Sequence, residues 1–152
     1  METIISVIAI VISVISVCFA LYTFIWTVRR DRKQATLEAY NTLQNEAFDK
    51  INLYSPSEIQ EFIKHPTSKE YNDVAALVAR IEHFCVGVNT RIYDKKTVYS
   101  LAHGYFDGKK LKSRILPVID RKNNNMEYDY YSNTHQVLAW MDKVTEKQRK
   151  KP

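Results

Sequence analysis

The sequence predicts an all-α protein in which one N-terminal transmembrane helix continues into a cytoplasmic helical bundle. Residues 3–28 contain no charge, proline or glycine, and residues 29–54 also lack proline and glycine. No alternation of apolar and polar residues typical of a strand extends over four or more positions. The predicted parts are an anchor (1–28), a helical stalk (29–54), a helical domain (55–147) and a basic tail (148–152).

The apolar run is long enough to cross a bilayer. At ~1.5 Å per residue it reaches about 39 Å, against a hydrocarbon core of ~30 Å. Basic residues follow the run and none precedes it, which predicts an outside N-terminus and a cytoplasmic C-terminal domain. Aromatic rings near its end mark the inner boundary. The membrane-interface residues are Tyr22, Trp26, Arg29, Arg30, Arg32 and Lys33.

Small and hydroxyl residues recur along one face of this predicted helix at intervals of three and four, which indicates close approach of another helix and left-handed packing. We expect self-association through this stripe, and in a ring its hydroxyls can line a wet lumen. The alternative is that the hydroxyls bond back to the preceding helical turn. The stripe consists of Ser6, Ala9, Ser13, Ser16, Ala20, Thr23 and Thr27.

Composition argues against an enzyme with a metal or cofactor. Two cysteines and four histidines show no metal-ligand spacing, and there is no glycine-rich phosphate loop. The 22 basic residues outnumber 17 acidic ones, and 14 of them cluster at residues 29–33, 109–122 and 147–151. Such patches suit anionic lipid headgroups first and nucleic acid second, so we expect membrane lipid as a partner and leave nucleic acid open.

Beyond the anchor, about five cytoplasmic helices are predicted. Ser55 to Glu58 and Thr67 to Glu70 read as capping boxes that open two of them, and Asp94 as the cap of a third. A fourth helix covers 109–122 and a last one runs from about Glu127 to Lys147. The apolar stripe of the stalk comprises Leu37, Tyr40, Leu43, Ala47 or Phe48, Ile51 and Tyr54, and that of the central helix runs from Tyr71 to Ile92.

Three short segments carry a resemblance: RDRKQATL (30–37), ARIEHFCVGVNTRIYD (79–94) and ILPVIDR (115–121). With the N-terminal span, they resemble a family of small bacterial and phage single-pass membrane proteins of unknown function. The chain also looks like the membrane accessory proteins of type VI-B CRISPR systems. That resemblance implies a HEPN-like helical domain, a ring with a pore in the bacterial inner membrane, an RNA-guided effector as partner, and a role in antiviral defence.

The chain departs from the resembled pattern at the residues that carry catalysis in HEPN ribonucleases. HEPN ribonucleases use an Arg and a His separated by four to six residues, and no such pair occurs here. The nearest pair, Arg80 and His83, shares a helix face and provides weak catalytic candidates. We favour a polar edge of the core helix, with Arg80 or Glu82 bridging to a neighbour. Arg91 stands where a glycine is common.

The expected function is that of a homo-oligomeric inner-membrane protein, not an enzyme, that forms a pore or perturbs the membrane in CRISPR-linked antiviral defence. One alternative is a membrane-tethered RNA-binding or HEPN-type ribonuclease module that uses Arg80, His83 and the basic patches. Another is a membrane scaffold or phage exclusion protein without a pore.

Overall fold

A computed structural model describes residues 2–106, 109–124 and 129–150, and regular structure in these ranges is entirely helical. The predicted all-α fold class is therefore confirmed. The elements are α1 (Glu2–Leu43), a π-helical turn (Gln44–Phe48), α2 (Asp49–Ile51), α3 (Pro56–Lys64), α4 (Lys69–Asn89), α5 (Lys95–Phe106), α6 (Lys109–Asn123) and α7 (Ser132–Arg149).

The first three elements form one unbroken rod, called here the long helix. It ends at Ile51, where a turn closed by a 3.2 Å hydrogen bond from the Tyr54 amide to the Ile51 carbonyl replaces the helix. Neither proline nor glycine interrupts it, and helix-forming residues are frequent in residues 29–51. Its N-terminal part is long and apolar enough to cross a membrane, with a mean hydropathy of 3.0.

The π-helical turn explains how the long helix packs. The Asp49 amide donates to the carbonyl of Gln44, five residues back, so this turn holds one extra residue. Ala47 and Phe48 are both fully buried as a result. The sequence pattern alone left the choice between these two residues open.

The buried face of the long helix begins one residue earlier than the periodicity predicts. Thr36 is fully buried, whereas Leu37 is 43% exposed. The Thr36 hydroxyl donates to the Arg32 carbonyl at 2.7 Å and accepts from the Asp94 amide at 2.8 Å. Because both groups satisfy this hydroxyl, a polar side chain can occupy the core position.

The short helices begin at side-chain caps. At α3 the capping box forms as predicted: the Glu58 amide donates to the Ser55 hydroxyl at 3.2 Å, and the Ser55 amide donates to the Glu58 carboxylate at 2.7 Å. At α4 the predicted capping box was wrong by one residue. Ser68 takes the cap position, with extended backbone and a 3.1 Å hydrogen bond from the Tyr71 amide, and the helix begins at Lys69.

Helix α4 is the centre of the bundle and packs against the long helix, α3, α6 and α7. An aromatic cluster fills the space between the long helix and α5, where Phe48 stacks on Tyr105 and meets Phe106 edge-on, with centroids 5.1 and 5.3 Å apart. The apolar face of α4 stops before Ile92, which lies beyond the helix and is 60% exposed.

The last helix begins later than expected. Glu127, its predicted start, lies outside the described residues, and α7 begins at Ser132. Asp129 and Tyr130 precede it in a turn held by Asn123, whose side chain donates to the Asp129 carboxylate at 2.7 Å and accepts from the Tyr130 amide at 3.2 Å. The Asn123 side chain thus gives the backbone before α7 a hydrogen-bond partner outside a helix.

Candidate functional site

The predicted small-residue stripe lies on the side of the long helix that faces away from the bundle. Thr36, which points into the core, follows Thr27 by nine residues, or about two and a half turns of a 3.6-residue helix. Two residues at this spacing point to opposite sides. Six of the seven stripe residues are exposed and Thr27 is partly exposed. No described part of the bundle covers the stripe.

Hydroxyls of the stripe bond to the backbone of their own helix. Ser13 and Ser16 donate to carbonyl oxygens four residues earlier at 2.9 Å, and Thr23 does so at 2.8 Å. This is the geometry of the alternative interpretation, in which such hydroxyls need no partner helix. Each oxygen still has acceptor capacity, and the side chains are small enough for another helix to approach closely.

The same face continues beyond the apolar segment as a line of polar residues, which we call the polar seam. Its members recur at three- and four-residue intervals and are all exposed. The amide of Gln34 donates to the carboxylate of Glu38 at 3.0 Å. Sequence reasoning missed this seam, although its spacing repeats that of the stripe. The polar seam consists of Asp31, Gln34, Glu38, Asn41 and Asn45.

The four basic residues that directly follow the apolar segment lie on two sides of the helix. The Arg30 guanidinium lies over the Trp26 ring, 5.3 Å from its centroid, and is paired with Asp31 at 3.5 Å. The other three basic residues, Arg29, Arg32 and Lys33, lie on the side of the helix that faces α5. They border a cleft of about 690 Å³, called here the basic cleft. It is lined by Arg29, Arg32, Lys33, Asp94, Lys96, Thr97, Ser100 and Leu101.

Sequence reasoning did not include the contribution of α5 to the basic cleft. The available signal was a pair of lysines, Lys95 and Lys96, directly after the capping residue Asp94. Cations in the first turn of a helix oppose the helix dipole. Two lysines in the first turn are therefore unusual, because they destabilise the helix. Their position beside α1 follows only from the fold.

Arg80 and His83 lie beside a smaller cleft of about 270 Å³ between α1 and α4. The Arg80 guanidinium forms an ion pair with Glu46 of the π-helical turn, and His83 is exposed at the rim. The carboxylate offsets the positive charge that phosphate binding would use. The cleft is largely apolar, with Leu43 and Phe84 in its wall.

Glu82 also bridges to a neighbouring helix. Its two carboxylate oxygens accept four hydrogen bonds from the start of α7, from the amide and side chain of Asn133 and the amide and hydroxyl of Thr134, at 2.7 to 3.2 Å. The geometry is that of a helix cap supplied from another helix. Both Arg80 and Glu82 therefore connect α4 to its surroundings.

In the described residues the protein is all-helical, and its N-terminal helix is long and apolar enough to cross a membrane. Among the residues that the structure describes, no group of His, Cys, Asp and Glu could hold a metal ion. Residues 10–140 match the family described as "Domain of unknown function (DUF4760)", and the chain belongs to that family. No curated protein and no solved structure matches the chain. The expectation of an uncharacterised family is confirmed, and the likeness to CRISPR accessory proteins stays a prediction.

Proposed function

We propose that the protein is a homo-oligomeric, single-pass protein of the bacterial inner membrane whose small-residue stripe faces the centre of a ring and lines a pore. The N-terminus is outside and the bundle is cytoplasmic. The observation that carries the proposal is that the stripe and the polar seam share one uncovered face of the long helix, opposite the bundle. Copies can bring this face together while their bundles point outward without clashing.

The polar seam favours a hydrated lumen over a tightly packed helix pair. Helices that pair in water bury apolar residues at three- and four-residue spacing. Here the corresponding cytoplasmic positions hold two carboxylates, two asparagines and a glutamine, all exposed. Bringing such residues into dry contact would cost free energy, whereas a water-filled channel leaves them solvated. A scaffold or phage exclusion protein that binds one partner helix through the stripe would also leave the polar seam exposed to solvent, so the size of the assembly distinguishes it from a ring.

The defence role rests on the resemblance described above. We propose that the pore acts when an antiviral system is triggered, with an RNA-guided effector as a partner. The structure gives less support to the tethered ribonuclease, because Arg80 is paired with Glu46 and has no histidine at the spacing that HEPN ribonucleases use. RNA cleavage by the full-length protein that is lost in Arg80→Ala would restore that alternative.

The first experiment is the protein mass of the full-length chain in detergent, from light scattering with the detergent contribution subtracted. A closed assembly of six or more subunits supports the ring. A monomer or a dimer overturns it.

A second experiment tests whether the stripe is the face involved. Substituting Ser13 and Ser16 with leucine fills the stripe, and we expect loss of assembly or of conductance in planar bilayers. Val11→Leu with Cys18→Leu is the matched control, because it adds bulk at the same depth on the opposite face. Full conductance in the stripe variant would refute the pore, and equal loss in both variants would refute the assignment of the face.

A further inference from the structure

The basic cleft holds an excess of positive charge that the described protein does not neutralise. Four basic side chains line it, Arg29, Arg32 and Lys33 from α1 and Lys96 from α5, against the single carboxylate of Asp94. None of these four forms an ion pair with any carboxylate in residues 2–106, 109–124 or 129–150. They are exposed, so the cleft is open to a ligand from outside.

The one carboxylate in the cleft, that of Asp94, already accepts hydrogen bonds within the protein. Its Oδ1 accepts hydrogen bonds from the Thr97 amide at 2.9 Å and the Thr97 hydroxyl at 2.8 Å, which makes Asp94 the cap of α5. Burial raises the pKa of Asp94, but the Thr97 bonds and the charges of Lys33 and Lys96 outweigh it, and the net pKa lies below the ordinary value. Asp94 is therefore ionised at neutral pH, and the cleft still has a net positive charge.

The N-terminus of α5 adds to this potential. A helix N-terminus carries partial positive charge, and acidic residues are usual in its first turn. In α5 that turn has no acidic residue and contains Lys95 and Lys96. Lys95 turns aside to the Trp140 ring, with its ammonium 5.5 Å from the centroid, while Lys96 lines the cleft. The capping carboxylate of Asp94 offsets part of this positive charge, and an anion bound in the cleft would offset more of it.

The height of the cleft matches the headgroup layer of a membrane crossed by α1. If the apolar run ends at Val28, the backbones of Arg29 to Lys33 lie about 1.5 to 7.5 Å beyond the hydrocarbon. The polar layer of each leaflet is about 5–7 Å thick. Lysine and arginine at this level attract the anionic lipids of the cytoplasmic leaflet.

We propose that the basic cleft binds the phosphate group of an anionic phospholipid headgroup, held between the arginines of α1 and the first turn of α5. This inference rests on the proposed membrane span, but not on the pore. The cleft volume of about 690 Å³ is enough for a phosphoglycerol headgroup. The lipid joins the long helix to α5 at the point where the bundle meets the membrane.

The test uses full-length protein in a nonionic detergent, with binding followed by native mass spectrometry and by the thermal unfolding midpoint. Three probes are added separately: phosphatidylglycerol, phosphatidylcholine, and inorganic phosphate without phospholipid. We expect phosphatidylglycerol to be retained and to raise the midpoint, with little effect of the other two. Equal effects of inorganic phosphate would overturn the lipid assignment and indicate a soluble anion. Equal effects of the two lipids would overturn recognition of the anionic headgroup.

Arg32→Gln with Lys96→Gln removes one cation from each wall of the cleft. At about fivefold per basic residue, we expect roughly 25-fold weaker binding of phosphatidylglycerol. Arg30→Gln is the matched control for Arg32→Gln alone, because each of these two variants removes one charge at nearly the same height and Arg30 lies on the side that faces Trp26. Equal weakening in both variants would show only general attraction to the micelle surface and would overturn the site.

The Lys96→Gln variant separates ligand binding from folding. Removing a cation from the first turn of α5 should leave the midpoint without lipid unchanged or higher, while the gain from phosphatidylglycerol falls. A lower midpoint without lipid would assign Lys96 a structural role and overturn the inference. Extraction of native membranes with alkaline carbonate tests the span independently, so failure of the span and failure of the cleft give different results.

Discussion

Glu82 provides the sharpest test of how the bundle is held together. Tyr131, the residue at the cap position of α7, offers no side-chain hydrogen bond, and the carboxylate of Glu82 takes its place from the neighbouring helix. Thr134, one of its donors, is fully buried. In Glu82→Ala the first amides of α7 and this buried hydroxyl lose their acceptor together.

The cost follows from three overlapping effects. Loss of a helix cap costs about 0.5–2 kcal/mol, loss of a carboxylate near a helix N-terminus about 0.3–1 kcal/mol, and a buried hydroxyl without an acceptor about 1–3 kcal/mol. Because the same two carboxylate oxygens are involved in all three effects, we expect the free energy of unfolding of Glu82→Ala to fall by about 3 kcal/mol in total. Glu82→Gln keeps one acceptor oxygen but places an amide nitrogen, itself a donor, against donors of α7. We therefore expect its free energy of unfolding to fall by at least ~1.5 kcal/mol.

The assay is urea unfolding of the full-length protein in nonionic detergent, followed by far-ultraviolet circular dichroism. Glu70→Ala, an exposed change in the first turn of the same helix, is the control and should cost only the ~0.3–1 kcal/mol that a carboxylate near a helix N-terminus contributes. Equal unfolding midpoints for Glu82→Ala and Glu70→Ala would refute the capping role. A Glu82→Gln variant as stable as the unchanged protein would refute the need for two acceptor oxygens.

Three further predictions concern the end of α4 and the turn that leads to α5, and they use the same urea assay. Gly87→Ala should lower the free energy of unfolding by about 1–2 kcal/mol, because an added Cβ would lie 2.3 Å from a ring carbon of Tyr93 and displace that ring. A stabilised variant would contradict this close approach. Arg91→Gly should gain about 0.5–1 kcal/mol, since Arg91 has a φ of 63°, where glycine is unstrained; a loss would show that the Arg91 side chain itself stabilises the turn. Asp94 has a lowered pKa when folded, so its stabilising effect is complete above its ordinary value of 3.8 and disappears as the pH falls through the folded pKa. The loss of stability between pH 6 and pH 3 should therefore be smaller in Asp94→Asn, and an unchanged pH dependence would contradict this contribution.

Local chemistry accounts for the parts of the fold that the sequence predicted correctly. The uncharged run, the unbroken stalk and the Ser55 capping box each depend on residues close in the chain. Tertiary contacts decide the rest. Thr36 lies four residues before the buried Tyr40 and so on the same helix face, and its hydroxyl can be buried there because the amide of Asp94, distant in sequence, donates a hydrogen bond to it. No periodicity contains that information.

The candidate sites divide in the same way. The small-residue stripe is a property of one helix, and its position relative to the apolar face of the stalk follows from counting residues along that helix. The basic cleft requires α1 and α5 to lie side by side, which depends on the packing of the whole bundle. The pairing of Arg80 with Glu46 likewise depends on how the π-helical turn faces α4.

The long helix also has a mechanical consequence. From Arg29 to Ile51 it reaches about 35 Å into the bundle, and its last turns are locked in the core by Phe48 and Ile51. No break separates these turns from the apolar segment in the described chain. A torque applied to the bundle by any bound molecule is therefore transmitted along the axis, and we expect the apolar segment to rotate or tilt with the bundle as one lever.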